Sequence, residues 1–167
     1  KLKENMKLLE FLSNKKSILI LFLIFMGFNI YFLSQFKVLN EITQSEVQIL
    51  DLRFGYTLEE VKLFFEQIGS EGQLLYAKIS KADMLYPISY GLFIVSLLSF
   101  FSKGKAQYLP LNILPIFAVV VDWVENNNIT KLNLSFPNLN AELVEQTALL
   151  TQTKWVLIAL SILMIVF

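Results

Sequence analysis

Residues 17–36, SILILFLIFMGFNIYFLSQF, form an apolar segment without a single charged side chain. As a helix, twenty such residues are long enough to cross the hydrocarbon core of a bilayer, which is about 30 Å thick. Lysines precede the segment, as in a signal peptide, but it is too long for a signal core and has no small-residue cleavage site. We therefore expect a retained membrane helix.

Three further segments approach this length and apolarity, at about residues 82–102, 109–126 and 147–167. The composition agrees, because 55% of the chain is hydrophobic, 17% is charged and the mean hydropathy is +0.57, whereas soluble domains contain about 25% charged residues. The sequence predicts an all-α integral membrane protein in which residues 1–167 form one domain, a four-transmembrane-helix bundle. Since the chain begins without Met and ends inside an apolar run, we expect further residues beyond both ends.

The connections at 37–81 and 127–146 are predicted to form a small helical cap outside the membrane. TLEEVKLFFEQIG, residues 57–69, contains a capping-box pair, Thr57 and Glu60, and ends at Gly69. The stretch around Arg53 is β-capable or irregular. The second connection has a Pro-Asn turn followed by a helix capped at Asn140.

Lysines beside the apolar segments predict the orientation. They precede the first segment and recur at Lys103 and Lys105, between the second and third. The positive-inside rule then places both termini in the cytoplasm and both long connections outside a cell membrane that the chain crosses several times. From Trp155 onward the fourth segment is short for a span, and we interpret Lys154 and Trp155 as an interfacial anchor.

Residue types that are missing exclude several kinds of chemistry. The chain has no Cys and no His, which excludes disulfides, thiolate nucleophiles, Ser-His-Asp triads and His-ligated metals within it. Basic and acidic residues cancel at fourteen each, and no basic patch indicates nucleic acid as a partner. No cofactor and no metal site is predicted, because the acids lack a recognised metal-ligand spacing.

Polar side chains nevertheless interrupt the predicted spans, where ionisable groups cost a few kcal/mol each. In the third segment, Asp122 and Glu125 lie one helical turn apart with Asn126 beside them. The predicted topology brings polar residues of three segments to similar depth near the outer surface. The candidate binding residues are Asn29, Asp83, Tyr86, Tyr90, Asp122, Glu125 and Asn126.

A buried acid needs a partner. Arg53 is the chain's only arginine, and we expect its loop to fold down so that Arg53 joins the acids as an eighth binding residue. Alternatively, Arg53 pairs with Asp51 or Glu59 within the cap. Asp83 and Glu125 could likewise be solvated boundary residues, and Tyr86 and Tyr90 could belong to an aromatic belt.

Four functions are compatible with such a cluster. The favoured one is a pocket near the outer leaflet that binds a lipid, an amphipathic or cationic ligand, or a partner helix. The alternative is a carboxylate-dependent enzyme acting on a lipid-type substrate at the outer interface, although no nucleophile with an adjacent base is apparent. The acids could also pair with another membrane protein or a second copy of the chain. A proton or ion pathway is weakest, because the cytoplasmic half supplies few polar residues.

Overall fold

The computed structural model describes residues 11–12, 14–102 and 110–166, which form helices and turns without a strand among them. This confirms the prediction of an all-α chain. The longer helices are α1 (Lys15–Thr43), α2 (Leu58–Asp83), α3 (Tyr86–Phe101), α4 (Ile113–Ser135) and α5 (Ala141–Val166), with a 3₁₀ turn at Leu50–Leu52. In the described part, three stretches are long and apolar enough to cross a membrane: Lys15–Thr43, Leu58–Phe101 and Ala141–Ile165.

The third predicted span, 109–126, differs from the helix observed. Residue 109 lies outside the described residues, and α4 begins at Ile113 and continues past Asn126 to Ser135. Because two acids and three asparagines follow its apolar half, α4 is not among the stretches apolar enough to span. A four-span bundle therefore remains a prediction.

The second predicted span, 82–102, is not one helix. Asp83 ends α2, Met84 and Leu85 form a turn, and α3 begins at Tyr86. Pro87 occupies the first turn of α3, a position that proline tolerates because the first helical N–H groups have no intrahelical acceptor.

The capping signals in the connections are confirmed, whereas the helix end predicted at Gly69 is a kink within a longer helix. Thr57 and Glu60 form the capping box of α2, and Gly69 has a non-helical backbone inside that helix, with φ 59° and ψ −173°. The Asn140 side chain accepts a hydrogen bond from the Leu143 N–H at 3.2 Å at the start of α5. The fourth segment is one continuous helix from Ala141, so it is not short.

Two apolar clusters form the core. The first contains Leu50, Phe65, Ile129, Val144 and their neighbours, and it joins the end of α1 and the 44–57 loop to α2, α4 and α5. The second contains Tyr90, Ala118, Val121, Leu157 and their neighbours from α3, α4 and α5. By contrast, α1 is peripheral, and only Phe32 and Leu39 are buried on it.

Candidate functional site

A layer of buried and half-buried polar side chains separates the two apolar clusters. On α4, Asp122, Glu125 and Asn126 follow Val121 of the second cluster and precede Ile129 of the first. The same order holds on α5, where the polar layer lies between Ala148 of the first cluster and Leu157 of the second. The polar layer consists of Asp51, Asp83, Tyr86, Tyr90, Asp122, Glu125, Asn126, Thr151 and Lys154.

Lys154 provides the cation of the polar layer. Its Nζ lies 2.7 Å from Glu125 Oε2 and 3.7 Å from Asp122 Oδ1, and it donates to the Asp51 carbonyl oxygen at 3.3 Å. The Lys154 residue is only 5% exposed. It is therefore the partner of the buried acids and not an interfacial anchor, which corrects our interpretation of the sequence.

Arg53, by contrast, does not reach the acids. Its guanidinium donates to the Gln48 carbonyl oxygen, at 3.1 Å from Nε and 2.7 Å from Nη2. The same group lies 5.9 Å from the centre of the Phe64 ring. The expectation that Arg53 joins the acid cluster is wrong, because the Gln48 carbonyl of its own loop and the Phe64 ring of α2 hold the side chain instead.

Hydrogen bonds fix both acids of α4. Tyr90 OH donates to Asp122 Oδ2 at 2.9 Å, and Asn126 Nδ2 donates to Asp122 Oδ1 at 3.1 Å. Thr151 Oγ1 donates to Glu125 Oε1 at 2.7 Å. Each of these four carboxylate oxygens thus faces a hydrogen-bond donor or the Lys154 ammonium, so the two side chains are held in one geometry.

Asn29 and Tyr86 connect α1 to this layer. Tyr86 OH donates to Asn29 Oδ1 at 3.4 Å, while Asn29 Nδ2 donates to the Phe25 carbonyl oxygen at 2.7 Å. The Tyr86 and Tyr90 rings meet edge to face, with centroids 5.5 Å apart. Seven of the eight predicted site residues therefore lie in or beside one layer, although their role in binding remains a prediction.

Asp83 and Asp51 differ from the α4 acids. Asp83 is 8% exposed, and no described residue hydrogen-bonds to its side chain. The Oδ1 atom of Asp51 is also buried without a hydrogen-bond partner among the described residues. Burial raises the pKa of Asp51 above its ordinary value, and the Lys154 ammonium acts in the opposite direction.

A cavity of about 420 Å³ opens beside the polar layer. Asp51, Asp83, Asp122, Lys154 and the two tyrosines line one end. Apolar side chains of α1, α3 and α5 line the rest: Phe25, Phe93, Ile94, Leu97, Ile158, Ile162 and Ile165. The cavity is therefore amphipathic, with charge at one end only.

The length of the cavity follows from the helices that line it. Its lining runs from Tyr86 to Leu97 on α3 and from Lys154 to Ile165 on α5. At about 1.5 Å per residue, each of these runs extends roughly 16 Å. In the described residues no group of three or more acids is arranged to hold a metal ion.

Sequence reasoning missed Lys154 and Thr151, although a signal for them was present. Thr147, Thr151, Lys154 and Ser161 follow at steps of four, three and seven, which places them on one face of α5. All four are buried. A polar stripe on an otherwise apolar helix indicates a packed polar face opposite the acids of α4.

Comparison with protein-family models, with curated proteins and with solved structures gives no match for this chain.

Proposed function

We propose that this protein is an integral membrane protein that binds an amphipathic molecule, a lipid or a lipid-like compound, in the cavity beside the polar layer. The observation that carries the proposal is the cavity's division into a charged end and a long apolar end. Pockets of this kind orient a ligand through a few polar groups, while apolar walls supply most of the contact.

The exposed surface supports a membrane location. On α1, Leu19, Leu23, Ile30 and Leu33 are each more than half exposed. A helix that is apolar all round is buried in protein or in lipid, and α1 is peripheral in this fold. In the proposed arrangement both termini are cytoplasmic, the 44–57 loop is outside, and α4 crosses together with α5.

The length of the cavity matches the hydrocarbon thickness of a single leaflet. Half of a hydrocarbon core of about 30 Å is about 15 Å, close to the roughly 16 Å lining derived from the helix rise. With the polar layer near the outer surface, the apolar part ends near the middle of the bilayer. The tail of an outer-leaflet molecule would then lie in the cavity with its polar end at the acids.

The proposal is tested by narrowing the cavity. Ile158→Trp places an indole in the apolar lining of the cavity, whereas Val156→Trp adds the same group on the exposed side of α5. Mass spectrometry of lipids retained by the purified protein should show loss of the bound molecule in Ile158→Trp and retention in Val156→Trp. Equal retention by both variants would contradict binding in this cavity.

A carboxylate-dependent enzyme acting on a lipid-type substrate is the second candidate. Its supporting observation is Asp83, a cavity-lining acid with no hydrogen bond from the described residues, beside an Asp122 that is fixed by Tyr90. Two carboxyl groups in such different surroundings can serve as acid and base. Catalysis would be favoured if the purified protein changes the retained lipid chemically and the Asp83→Asn variant does not. A chemically unchanged lipid would favour binding alone.

A further inference from the structure

We propose that the polar end of the ligand is a protonated amine carrying at least one N–H group, that it bears one apolar tail, and that Asp83 is the residue that binds it. This inference rests on the proposed function, because it names the chemical class of the molecule that occupies the cavity.

The polar layer contains more acidic than basic side chains. Four carboxyl groups, those of Asp51, Asp83, Asp122 and Glu125, belong to the polar layer, and among the described residues Lys154 supplies its one ammonium. Lys154 is already engaged, since its Nζ is 2.7 Å from Glu125 and 3.7 Å from Asp122. The cavity therefore presents an excess of acid to any molecule that enters it.

Hydrogen bonding leaves two cavity-lining acids available, Asp83 and Asp51. Of these, Asp51 already lies beside the Lys154 ammonium, which donates to its carbonyl oxygen. Tyr90, Asn126, Thr151 and Lys154 occupy the oxygens of Asp122 and Glu125. Asp83 is more than nine-tenths buried and lines the cavity, yet no described residue donates to it. A buried carboxylate without donors is costly, so a ligand that supplies both a positive charge and an N–H group would satisfy it.

The aromatic side chains at the polar end favour the same head group. Tyr86 lies 5.9 Å from Phe25 and 5.5 Å from Tyr90, measured between ring centroids, and all three residues line the cavity. Ring faces attract cations, most strongly where water is excluded. An anionic head group would instead meet three acids that line the cavity, and among the described lining residues only the already engaged Lys154 could balance its charge.

The size of the cavity favours a single tail. Ligand pockets range from about 300 to 1,000 Å³, and this one, at about 420 Å³, lies near the lower limit. Its whole lining, from the polar end to the apolar end, extends roughly 16 Å along α3 and α5, using a rise of 1.5 Å per residue. A single extended chain is compatible with such a narrow space.

The test compares three probes with the same tail: dodecylamine, dodecanol and dodecanoate. The chain's two tryptophans are Trp123 and Trp155, and only Trp155 lines the cavity. A Trp123→Phe background therefore gives one reporter, whose emission is followed while each probe is titrated onto the full chain in lipid nanodiscs at neutral pH. A charged hydrogen bond is worth about 1.5–3 kcal/mol, so dodecylamine should bind about 10- to 100-fold tighter than dodecanol. Dodecanoate should bind most weakly.

Substitution of Asp83 gives the second test of this inference. Asp83→Asn keeps the shape of the side chain, so it should remove the preference for the amine and leave dodecanol binding unchanged. Retained dodecanol binding also shows that the variant is folded. Glu66→Gln, which removes an exposed acid from the same helix, should leave all three affinities unchanged.

The outcomes separate this inference from the proposed function. The inference is overturned if all three probes bind equally, or if Asp83→Asn still prefers the amine. Binding of an amphiphile would stand in both cases. Tightest binding of dodecanoate would overturn it as well. If no probe binds and Ile158→Trp retains the same lipids as the unmodified protein, the proposed function itself fails.

Discussion

Lys154 is the residue on which the polar layer depends most, because it is the cation that contacts Glu125 and Asp122 at once. Glu125 is fully buried. Removing one partner of such a pair leaves an uncompensated charge, which costs about 3–5 kcal/mol. We expect Lys154→Met to lower the free energy of unfolding by this amount, measured by denaturant unfolding in detergent.

The matched control for this loss is Lys78→Met, since Lys78 is an exposed lysine on α2. It should change stability by less than about 0.5 kcal/mol, as surface substitutions usually do. Combining Lys154→Met with Glu125→Gln removes both charges and should recover most of the loss. Losses that simply add in the double variant would show that the pair is not coupled.

The acids of the site were predicted from the sequence, whereas their cation was missed. Asp122, Glu125 and Asn126 interrupt an apolar run at helical spacing, which is a local signal. Lys154 before an apolar run has the pattern of an interfacial anchor. Its burial depends on a tertiary contact with the carbonyl of Asp51, which lies 103 residues earlier in the chain.

At the scale of the helices, the backbone of Gly69 determines the course of α2. Its φ of 59° with ψ of −173° belongs to a region that essentially only glycine adopts. A Cβ at this position would meet no atom within 4 Å, so any effect of substitution comes from the backbone. We expect Gly69→Ala to destabilise the protein by about 1–3 kcal/mol, measured by thermal unfolding.

Gly27 supplies the control for that substitution. It lies within α1 with helical φ, and a Cβ there also meets no atom within 4 Å. Alanine is preferred to glycine inside a helix by about 1 kcal/mol, so Gly27→Ala should be neutral or stabilising. A similar loss in both variants would mean that the kink at Gly69 is not required by the fold.

Helix existence was easier to predict than helix length. The capping box at Thr57 and the cap at Asn140 depend on neighbouring residues and are confirmed. The extension of α4 beyond Asn126 depends instead on partners in another helix. For example, Asn133 Nδ2 donates to the Gln73 carbonyl oxygen at 3.1 Å, a contact that the local sequence does not indicate.

For the whole molecule, the proposed topology can be tested because the chain has no native cysteine. Single-cysteine variants at exposed positions then react only at the chosen site. Phe54→Cys and Leu134→Cys should react with a membrane-impermeant maleimide in intact cells, since we propose that both lie outside. Phe11→Cys should react only after the membrane is permeabilised.

Labelling of Phe54→Cys and Leu134→Cys from opposite sides would contradict the proposed path of α4. Labelling of Phe11→Cys together with Phe54→Cys would contradict the cytoplasmic N-terminus. Lys78→Cys, at an exposed position of α2 that we also propose to lie outside, should be labelled like Phe54→Cys. It controls for expression of the single-cysteine variants.

The sequence predicted the all-α fold of the described residues, whereas the separation into two apolar clusters required the tertiary structure. The polar layer lies where both clusters end, on α4 between Val121 and Ile129. Such a division arises from pairing between α4 and α5, which pack along each other. Periodicity shows which face of each helix is buried, but it does not show which helices meet.

The peptide group of Asp51 connects the 44–57 loop to α5. The carbonyl oxygen of Asp51 accepts hydrogen bonds from Trp155 Nε1 at 3.2 Å and from Lys154 Nζ at 3.3 Å. The ammonium that contacts Glu125 therefore also tethers the 44–57 loop. Any event that draws Lys154 away from this oxygen leaves Trp155 as its remaining hydrogen-bond donor, so the arrangement of the buried acids is linked to the 44–57 loop through α5.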